Sequence, residues 1–586
     1  MEINMIKTLA KNIRGFVKES IITPVSMIVE VIMEMLIPLL MASMIDSGVN
    51  KGDMKAILYY GGLMGICALI GLITGVLGGV YGAKASSGFA RNLRMSLFEK
   101  IQTFSFANID KFSTASLVTR LTTDVTNIQN AYQMILRISF RAPFSLIIAM
   151  IMTFSINAKL ASIYLIAIIF LGIVFAFLMT STHKYFKQVF ERYDDLNASV
   201  QENVTAIRVV KAFVREKHEI KKFDKAVNNL YKLFVKAENR MVSISPIMMI
   251  TTYACIIAIS WFGANMIVGS ELTTGELTSL LTYCMNILIS LLMVAMIFVM
   301  LTMSLASANR VADVFNEEPM IKNPENPEFN ISDGSIEFEN VSFSYNKSSE
   351  KPVLNNINLS IKSGETIGII GGTGSSKTSL VNLIGRLYDV SSGSVKVGGK
   401  DVRSYDIEKL RDEVSVVLQS NVLFSGSILD NLRWGDQNAT EEECIKACKL
   451  ACADDFIQTF PDKYNTHIEQ GGSNVSGGQK QRLCIARALL KKPKILILDD
   501  STSAVDTATD ARIRKAFKEE IPDTTKLIIS QRVSSVEGAD RIVVLENGEI
   551  NSVGTHDELL ENCDIYKEIY VAQTSGNGDF DKKGEM

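Results

Sequence analysis

The chain has 586 residues, of which 47% are hydrophobic and 21% are charged, and its formal net charge is −3 at pH 7. This length is too great for one core and predicts more than one domain. The small net charge, with no basic stripe, argues against nucleic acid as a partner. Long apolar runs end near residue 305, and the pattern of a soluble α/β protein begins near residue 330.

Six apolar stretches are long enough to cross a bilayer as helices, which requires about 20 residues each. An even number of spans places both termini on one side of the membrane. The segments on that side, 1–20, 81–131 and 183–240, carry 23 lysines and arginines, whereas the opposite loops carry three. Positive charge favours the cytoplasm, so the sequence predicts a multi-pass membrane protein with cytoplasmic N- and C-termini. The predicted spans lie at roughly 21–45, 56–80, 138–157, 160–182, 243–268 and 279–305.

The remaining segments predict the domain organisation. The internal segments 81–131 and 183–240 have amphipathic, helical patterns, and at about 1.5 Å per residue such helices extend far below the membrane. Three prolines mark a linker, and the polar, glycine-containing C-terminal tail is predicted to be disordered. The predicted organisation is a transmembrane domain with long cytoplasmic helical extensions at 1–305, a linker at 306–334, a nucleotide-binding domain at 335–573 and a tail at 574–586.

A glycine-rich loop follows the apolar strand 365–370 and precedes an apolar helix. This context is what a phosphate-binding loop requires, because its backbone N–H groups surround the phosphates of a nucleotide. Lys377 is placed to neutralise the phosphate charge, and Thr378 to bind Mg²⁺. Ser376 stands where such loops usually have a last glycine, and its Cβ is expected to crowd the loop. The predicted phosphate-binding residues are Gly371, Gly372, Thr373, Gly374, Ser375, Ser376, Lys377, Thr378 and Ser379.

Further motifs follow in a fixed order. A run beginning at Asn474 precedes a helix and the apolar strand 495–498, which ends in Asp499. With these motifs the chain resembles the ATP-binding cassette (ABC) transporter family over almost its whole length. The family signature is matched by Ser476, Gly477, Gly478 and Gln479. The resemblance implies that Tyr345 stacks on adenine, that Gln419 and Asp506 belong to the Q-loop and D-loop, and that Mg²⁺ is bound by Thr378, Gln419 and Asp499.

The order of the two halves resembles a half-size ABC exporter. The fold class this implies is an all-α, six-helix transmembrane domain followed by an α/β P-loop nucleotide-binding domain. The segments 112–124 and 202–213 resemble the two cytoplasmic loops of that family, which end in short coupling helices docked on the cassettes. Importers of the superfamily usually keep membrane and cassette domains on separate chains, so import is disfavoured. The resemblance favours a bacterial multidrug exporter in the cell (inner) membrane.

Two further positions depart from the family pattern. Asp500 stands where the family has a glutamate that polarises the attacking water, and Gln531 replaces the switch histidine. A carboxylate displaced by about an ångström can reduce the rate on the order of 10²-fold. Glutamine donates hydrogen bonds but carries no charge. The site is therefore predicted to bind ATP and Mg²⁺ but to hydrolyse ATP poorly.

The signature, in contrast, is intact. In the family two cassettes dimerise head to tail, and each ATP lies between one phosphate loop and the signature of the other subunit. The resemblance thus predicts a heterodimer with a second, non-identical half-transporter that carries the catalytic glutamate and the switch histidine. The substrate of the predicted heterodimeric exporter would be a small amphipathic or hydrophobic molecule, such as a drug, lipid or peptide. Two alternatives stay open: a homodimeric exporter with slow hydrolysis, and a non-transporting, ATP-gated regulatory membrane subunit.

Four ionisable residues fall in or near the spans. Glu30 and Glu34 lie one turn apart in the first span, and Arg137 and Arg141 lie one turn apart at the start of the third. Charges in lipid are costly and usually face a partner or a cavity. Glu30 and Arg141 both lie about 22–24 Å from the external surface, which allows them to pair. A structural pair, contact with substrate and contact with lipid headgroups all remain open.

Overall fold

The computed structural model describes residues 2–346, 351–501 and 503–574. These residues form two compact units. The first contains the described residues up to 102 and residues 114–317, and the second contains residues 103–113 and the described residues from 318 onward. A short segment of the N-terminal half therefore belongs to the second unit. The predicted disordered tail lies outside the described residues, except for Thr574.

Within the described residues, six helical segments are long and apolar enough to cross a membrane. Each overlaps one of the six predicted spans, and the predicted six-span helical domain is confirmed. Their length and composition follow from the need to satisfy every backbone polar group inside lipid, which favours helices. The segments are Val17–Val49, Met54–Gln102, Thr114–Ile156, Ala158–Thr182, Glu216–Val268 and Thr274–Ile297.

Two helices of this half are far longer than a membrane requires. They have 49 and 48 residues, and at about 1.5 Å per residue each is about 70 Å long, more than twice a ~30 Å hydrocarbon core. In chain order the helices of this half are α1 Glu2–Ala10, α2 Val17–Met44, α3 Met54–Gln102, α4 Phe106–Phe112, α5 Thr114–Thr119, α6 Val125–Ile156, α7 Ala158–Thr205, α8 Ile207–Ala212, α9 Glu216–Val242, α10 Ile244–Val268 and α11 Thr274–Asn316.

Hydrogen bonds connect helices α2 and α11 near a proline of α2. Pro38 lies inside α2 and lacks the N–H that would donate to the preceding turn. The hydroxyl of Tyr283 in α11 donates to the carbonyl oxygen of Met35 at 2.6 Å, and Ser279 donates to that of Pro38. Neighbouring helices supply such bonds where proline interrupts a membrane helix.

The last helix of this half continues into the predicted linker. Helix α11 ends at Asn316, whereas the linker was expected to begin at residue 306. Val311, Ala312 and Val314 are buried in this last part of the helix. Their burial stabilises further turns, and the helix ends shortly before Pro319, the first proline of the segment.

The second unit contains two larger sheets and one small one. The six-stranded sheet has the order β12-β11-β3-β10-β9-β6, in which β11, β3, β10, β9 and β6 are parallel. The four-stranded antiparallel sheet has the order β2-β1-β4-β5. The strands are β1 Ile336–Phe343, β2 Leu354–Ile361, β3 Thr366–Ile370, β4 Ser392–Val397, β5 Lys400–Asp401, β6 Val414–Val417, β7 Gly426–Ser427, β8 His467–Ile468, β9 Ile495–Asp499, β10 Thr525–Ile529, β11 Arg541–Glu546 and β12 Glu549–Gly554.

Helices and two clusters of buried apolar residues surround the parallel strands, and alternate residues of β9 belong to one cluster or the other. Every residue of β9 and β10 is buried, as expected for parallel strands that are covered on both faces. This arrangement confirms the predicted α/β fold class. The helices are α12 Lys377–Asn382, α13 Ile407–Glu413, α14 Ile428–Leu432, α15 Glu441–Leu450, α16 Asp454–Ile457, α17 Gly477–Leu490, α18 Thr507–Glu520, α19 His556–Asn562 and α20 Asp564–Thr574.

Candidate functional site

Three predicted motifs meet at one edge of the parallel sheet. Strands β3, β10 and β9 are consecutive neighbours, and each is followed by a predicted functional segment. The phosphate loop follows β3, Gln531 follows β10, and Asp500 follows β9. The carboxyl ends of parallel strands lie at the same edge, which is where ligands bind in such sheets. The sheet order therefore brings together residues that are up to 160 positions apart in the sequence.

The phosphate loop curls around the ammonium group of Lys377. Its Nζ donates to the carbonyl oxygens of Gly371 at 2.8 Å and Gly372 at 2.9 Å, and lies 3.2 Å from the hydroxyl of Ser375. Burial lowers the pKa of Lys377, while the nearby carboxylates of Asp500 and Asp499 raise it. The lysine is thus a partly desolvated cation beside two acids.

Ser376 occupies a backbone conformation that normally requires glycine. Its φ is 72° and its ψ is 24°, in the left-handed region, and Gly374 two residues earlier has a φ of 85°. A residue with a Cβ costs about 1–2 kcal/mol in this region. The predicted crowding at Ser376 thus has a local cause, because the Cβ meets its own backbone.

Asp499 and Thr378 form the part of the site that suits a cation. The Thr378 hydroxyl donates to Oδ1 of Asp499 at 3.1 Å. The other carboxylate oxygen, Oδ2, is buried and has no hydrogen-bond partner among the described residues. Burial raises the pKa of Asp499, and the hydrogen bond from Thr378 opposes that rise. A hydroxyl and a buried carboxylate oxygen without a partner fit the oxygen ligands that Mg²⁺ prefers.

Asp500 is fixed through its backbone. Its φ is 46°, and its N–H donates to the carbonyl oxygen of Ile529, the last residue of β10, at 3.0 Å. Burial raises the pKa of its carboxyl group, which a hydrogen bond from Gln419 and the charges of Lys377 and Arg532 lower. Gln419, predicted as a Mg²⁺ ligand, therefore lies beside the Asp500 carboxyl group and lowers its pKa.

The loop that contains Gln531 is held by the last described helix. The side-chain amide of Gln573 in α20 donates to the carbonyl oxygen of Gln531 at 2.7 Å and accepts from the N–H of Val533 at 2.9 Å. Gln573 was not predicted as a site residue. No motif surrounds it, and only the packing of α20 against this loop reveals it.

The predicted adenine-stacking residue lies in an aromatic cluster. The Tyr345 hydroxyl is 2.9 Å from that of Ser379, and its exposed ring meets Tyr388 edge-on at a centroid distance of 5.1 Å. The Tyr388 hydroxyl donates to Asp110 of α4 at 2.6 Å, and its ring contacts Phe106 of the same helix. Burial, followed by the bond with Asp110, raises the pKa of Tyr388. Sequence analysis missed this link, because Asp110 and Tyr388 are 278 residues apart.

The signature residues form the start of helix α17. Ser476 and Gln479 cap this helix reciprocally: the Ser476 N–H donates to the Gln479 side chain at 2.9 Å, and the Gln479 N–H donates to the Ser476 hydroxyl at 3.3 Å. Glycine is required at Gly478, because a Cβ there would lie 2.8 Å from the carbonyl oxygen of Ala504. Gly477 also faces Ala504.

The D-loop is tied to the same helix. Gln481 of α17 donates to the Ser503 hydroxyl at 3.3 Å and accepts from the N–H of Ala504 at 3.0 Å. Asp506 caps helix α18 by accepting from the Thr509 N–H at 2.8 Å. Among the described residues, no hydrogen bond joins the signature to the phosphate loop of the same chain.

The four ionisable residues predicted in or near the first and third spans divide into two sets. Arg141 bonds to Glu30 at 2.5 Å and to Glu34 at 3.0 Å, so the structure contains the predicted Glu30–Arg141 pair and adds a second carboxylate. Arg137 lines a cavity, as does Arg141, and the buried Nε of Arg137 has no partner among the described residues.

Comparisons with known proteins identify the family of this chain. Residues 20–308 match the ABC transporter transmembrane region, and residues 354–503 match the ABC transporter family. The chain is 37% identical over 555 residues to the uncharacterized ABC transporter ATP-binding protein YfiB of Bacillus subtilis (strain 168), an alignment that covers 94% of this chain and 96% of that protein. The chain belongs to the ABC transporter family.

Two further similarities narrow the class. The chain is 33% identical over 498 residues to the ATP-dependent lipid A-core flippase of Desulfotalea psychrophila (strain LSv54 / DSM 12343), covering 84% of this chain and 85% of that protein. Its fold matches the structure of a bacterial Atm1-family ABC exporter with ATP bound, with a TM-score of 0.78, 22% identity and coverage of 97% and 98%. The protein thus has the fold of an ABC exporter half-transporter. It is a multi-pass membrane protein that binds ATP and couples its hydrolysis to transport, and ABC exporters work as dimers.

Proposed function

We propose that this chain is one half of a heterodimeric exporter. It holds ATP at its own site and hydrolyses it slowly, while its signature completes the hydrolytic site of a non-identical partner. The partner carries the catalytic glutamate and the switch histidine that this chain lacks. The substrate is a small amphipathic molecule, and the dimer lies in a bacterial cell membrane with both termini of this chain in the cytoplasm.

The fixed backbone at Asp500 is the observation that carries this proposal. Its N–H bond to Ile529 holds the start of the side chain at the end of β9. From that point an aspartate reaches one methylene less far than a glutamate would. A general base that cannot reach the attacking water forfeits on the order of 10²–10⁴-fold in rate.

The second altered position supports slow hydrolysis. Gln531 is exposed beside the sheet edge, and its backbone is held by Gln573. A neutral amide in this place can donate a hydrogen bond to a phosphate oxygen but cannot supply the charge of a protonated imidazole. The transition state of phosphoryl transfer is stabilised mainly by such charges.

The remaining parts support binding of nucleotide. Lys377 supplies a cation for the phosphates, and the Tyr345 ring is exposed where it can stack on a base. Thr378 and Asp499 would hold Mg²⁺, which neutralises phosphate charge when bound. The proposal thus separates binding, for which the groups are present, from hydrolysis, for which two groups are altered.

The test compares matched variants in the two subunits. The chain is purified alone and together with the half-transporter encoded beside it, and ATP hydrolysis is measured in lipid nanodiscs. Replacing the partner's catalytic glutamate with glutamine is expected to lower the rate on the order of 10²–10⁴-fold. Asp500→Asn in this chain is expected to leave the rate nearly unchanged. Equal losses from the two variants would refute the heterodimer with one degenerate site.

Two further variants separate the alternatives. Gly478→Ala places a Cβ against Ala504 and is expected to abolish hydrolysis at the partner's site while ATP still binds at Lys377. Asp500→Glu combined with Gln531→His is expected to raise turnover at this chain's own site. If turnover does not rise, Ser376 or the partner's signature limits it. Brisk hydrolysis by the chain alone would instead support a homodimer, since one chain contains both a phosphate loop and an intact signature.

A further inference from the structure

A cavity of about 290 Å³ lies among three helices of the first unit. One side is a stripe of α6 with a helical spacing of three to four residues, so its polar side chains share one face. The opposite sides come from α2 and α11, which each contribute a methionine. The residues that define its chemistry are Asn130, Gln133, Arg137, Arg141, Met27 and Met300.

The two arginines of the cavity differ in their partners. Arg141 is paired with the carboxylates of Glu30 and Glu34, which exceed its charge by one. Arg137 has no ion pair among the described residues, and its Nε is buried without a hydrogen-bond partner. The described residues that line the cavity include no carboxylate. Arg137 is therefore the cation of this cavity that has no ion-pair partner among the described residues.

The stem of Arg137 is held in place by close packing. Gly82 of α3 faces it, and a Cβ at that glycine would lie 3.3 Å from the Arg137 Cδ. Gln133 and Asn130, one and two turns earlier on α6, also line the cavity, and their side-chain amides have no hydrogen-bond partner among the described residues. A buried N–H group without a partner, such as the Nε of Arg137, is costly unless a ligand or water satisfies it.

We infer that this cavity binds the anionic group of an amphipathic substrate, with Arg137 as its counter-ion. The Asn130 and Gln133 amides donate hydrogen bonds to the same group, and Met27 and Met300 contact the apolar part. Flexible thioethers suit apolar bodies of varied shape. Guanidinium binds planar or tetrahedral oxyanions through two N–H groups, so a carboxylate, sulfate or phosphate satisfies the site. This inference rests on the proposed export function and names the class of its substrate.

The charge of the Glu30 and Glu34 carboxylates favours a different class of ligand, a cationic amphiphile. Glu34 is 43% exposed, and with Glu30 it leaves a net negative charge around Arg141. A cationic amphiphile would bind on that side and would be repelled by Arg137. Arg137 variants therefore distinguish the two classes of ligand, because removing the cation weakens the binding of an anionic amphiphile and strengthens the binding of a cationic one.

The probe is dodecyl phosphate, used below its micellar concentration. Its binding is measured by calorimetry on the complex with its partner in phosphatidylcholine nanodiscs, and its stimulation of ATP hydrolysis is measured in the same discs. Arg137→Gln is expected to weaken binding about tenfold to a hundredfold, the usual loss for a charge-assisted hydrogen bond. Arg137→Lys should lose less. Arg91→Gln, which removes an exposed arginine outside the cavity, is expected to bind as the unmodified chain does.

Three further arms identify the occupant. Dodecyltrimethylammonium tests the cationic class, inorganic phosphate tests a free anion, and nanodiscs containing phosphatidylglycerol test a bulk lipid headgroup. Neither dodecyltrimethylammonium nor inorganic phosphate should reproduce the binding and the stimulation of hydrolysis seen with dodecyl phosphate. Phosphatidylglycerol in the nanodiscs should not abolish the stimulation by dodecyl phosphate. The inference is overturned if Arg137→Gln binds dodecyl phosphate unchanged, if inorganic phosphate competes equally well, or if phosphatidylglycerol removes the difference between the variants.

Failure of this inference is distinguishable from failure of the proposed function. Calorimetric binding of dodecyl phosphate requires no hydrolysis, so it reports on the cavity alone. The dependence of basal hydrolysis on the partner's glutamate requires no amphiphile, so it reports on the heterodimer alone. Assembly of the Arg137 variants with the partner in nanodiscs shows that the first unit, which contains Arg137, is folded. If Arg137→Gln does not assemble, the comparison of Arg137→Lys with Arg91→Gln decides the question.

Discussion

The two hydrogen bonds between Gln573 and the loop of Gln531 lead to a quantitative prediction. Gln573→Ala removes the donor to the Gln531 carbonyl oxygen and the acceptor of the Val533 N–H. Each such bond contributes about 0.5–1.5 kcal/mol net, so the loop loses about 1–3 kcal/mol of local stability. At an RT of about 0.59 kcal/mol, the local opening constant is expected to rise roughly 5- to 150-fold.

Hydrogen exchange followed by mass spectrometry measures this opening directly. The peptide that contains Val533 is expected to exchange faster by the same factor in Gln573→Ala. Gln573→Glu should have a smaller effect, because its carboxylate still accepts from Val533 but no longer donates to Gln531. Thr574→Ala is the matched control, since the Thr574 hydroxyl bonds only to Tyr570 of the same helix. Exchange in Gln573→Ala that equals this control would refute the reasoning.

Three other predictions concern the same unit. Ser376→Gly relieves about 1–2 kcal/mol of strain in the left-handed backbone and loses about 0.5–1 kcal/mol to the greater entropy of the unfolded chain. Chemical denaturation should therefore show a small net stabilisation of Ser376→Gly, and Ser376→Ala should lack it. Tyr388→Phe removes the bond to Asp110 but keeps the ring, so ATP affinity should hold while ATP-driven transport falls; an equal loss of both would contradict this. Because burial raises the pKa of Asp500, folding favours its protonated form, and its stabilising contribution is lost as the pH rises above 3.8 through the folded pKa. Asp500→Asn should therefore flatten the pH dependence of the melting temperature in that range.

Local patterns were sufficient to predict the fold class. Apolar runs of membrane length identify spans because lipid cannot satisfy a bare backbone, and the runs at β3 and β9 identify buried parallel strands. The end of helix α11 was harder to predict from the sequence. Residues 306–316 are helical because Val311 and Val314 are buried, and burial depends on packing partners elsewhere in the chain.

The candidate site was predictable to the extent that its residues lie in contiguous motifs. Lys377, Thr378 and Asp499 are marked by their neighbours in sequence, and the structure brings them together. Gln573 and Tyr388 lie in segments without any motif, and their contacts arise only once α20 and α4 have packed. The αL conformation of Ser376 was also hidden, because a serine in place of glycine indicates crowding but not which atoms collide.

Restoring glutamate at position 500 and histidine at position 531 is expected to raise turnover, because main-chain contacts set the geometry of both positions. Position 500 is held by its N–H bond to Ile529, and position 531 by the bond from Gln573 to its carbonyl oxygen. Neither bond uses the side chain of residue 500 or 531. Replacing those side chains therefore changes the chemistry at the sheet edge while the backbone that positions them is retained. A rise in turnover on restoring glutamate and histidine would support the proposed slow hydrolysis and assign it to these two groups. An unchanged rate in a complex with an intact loop would exclude the two groups as its cause.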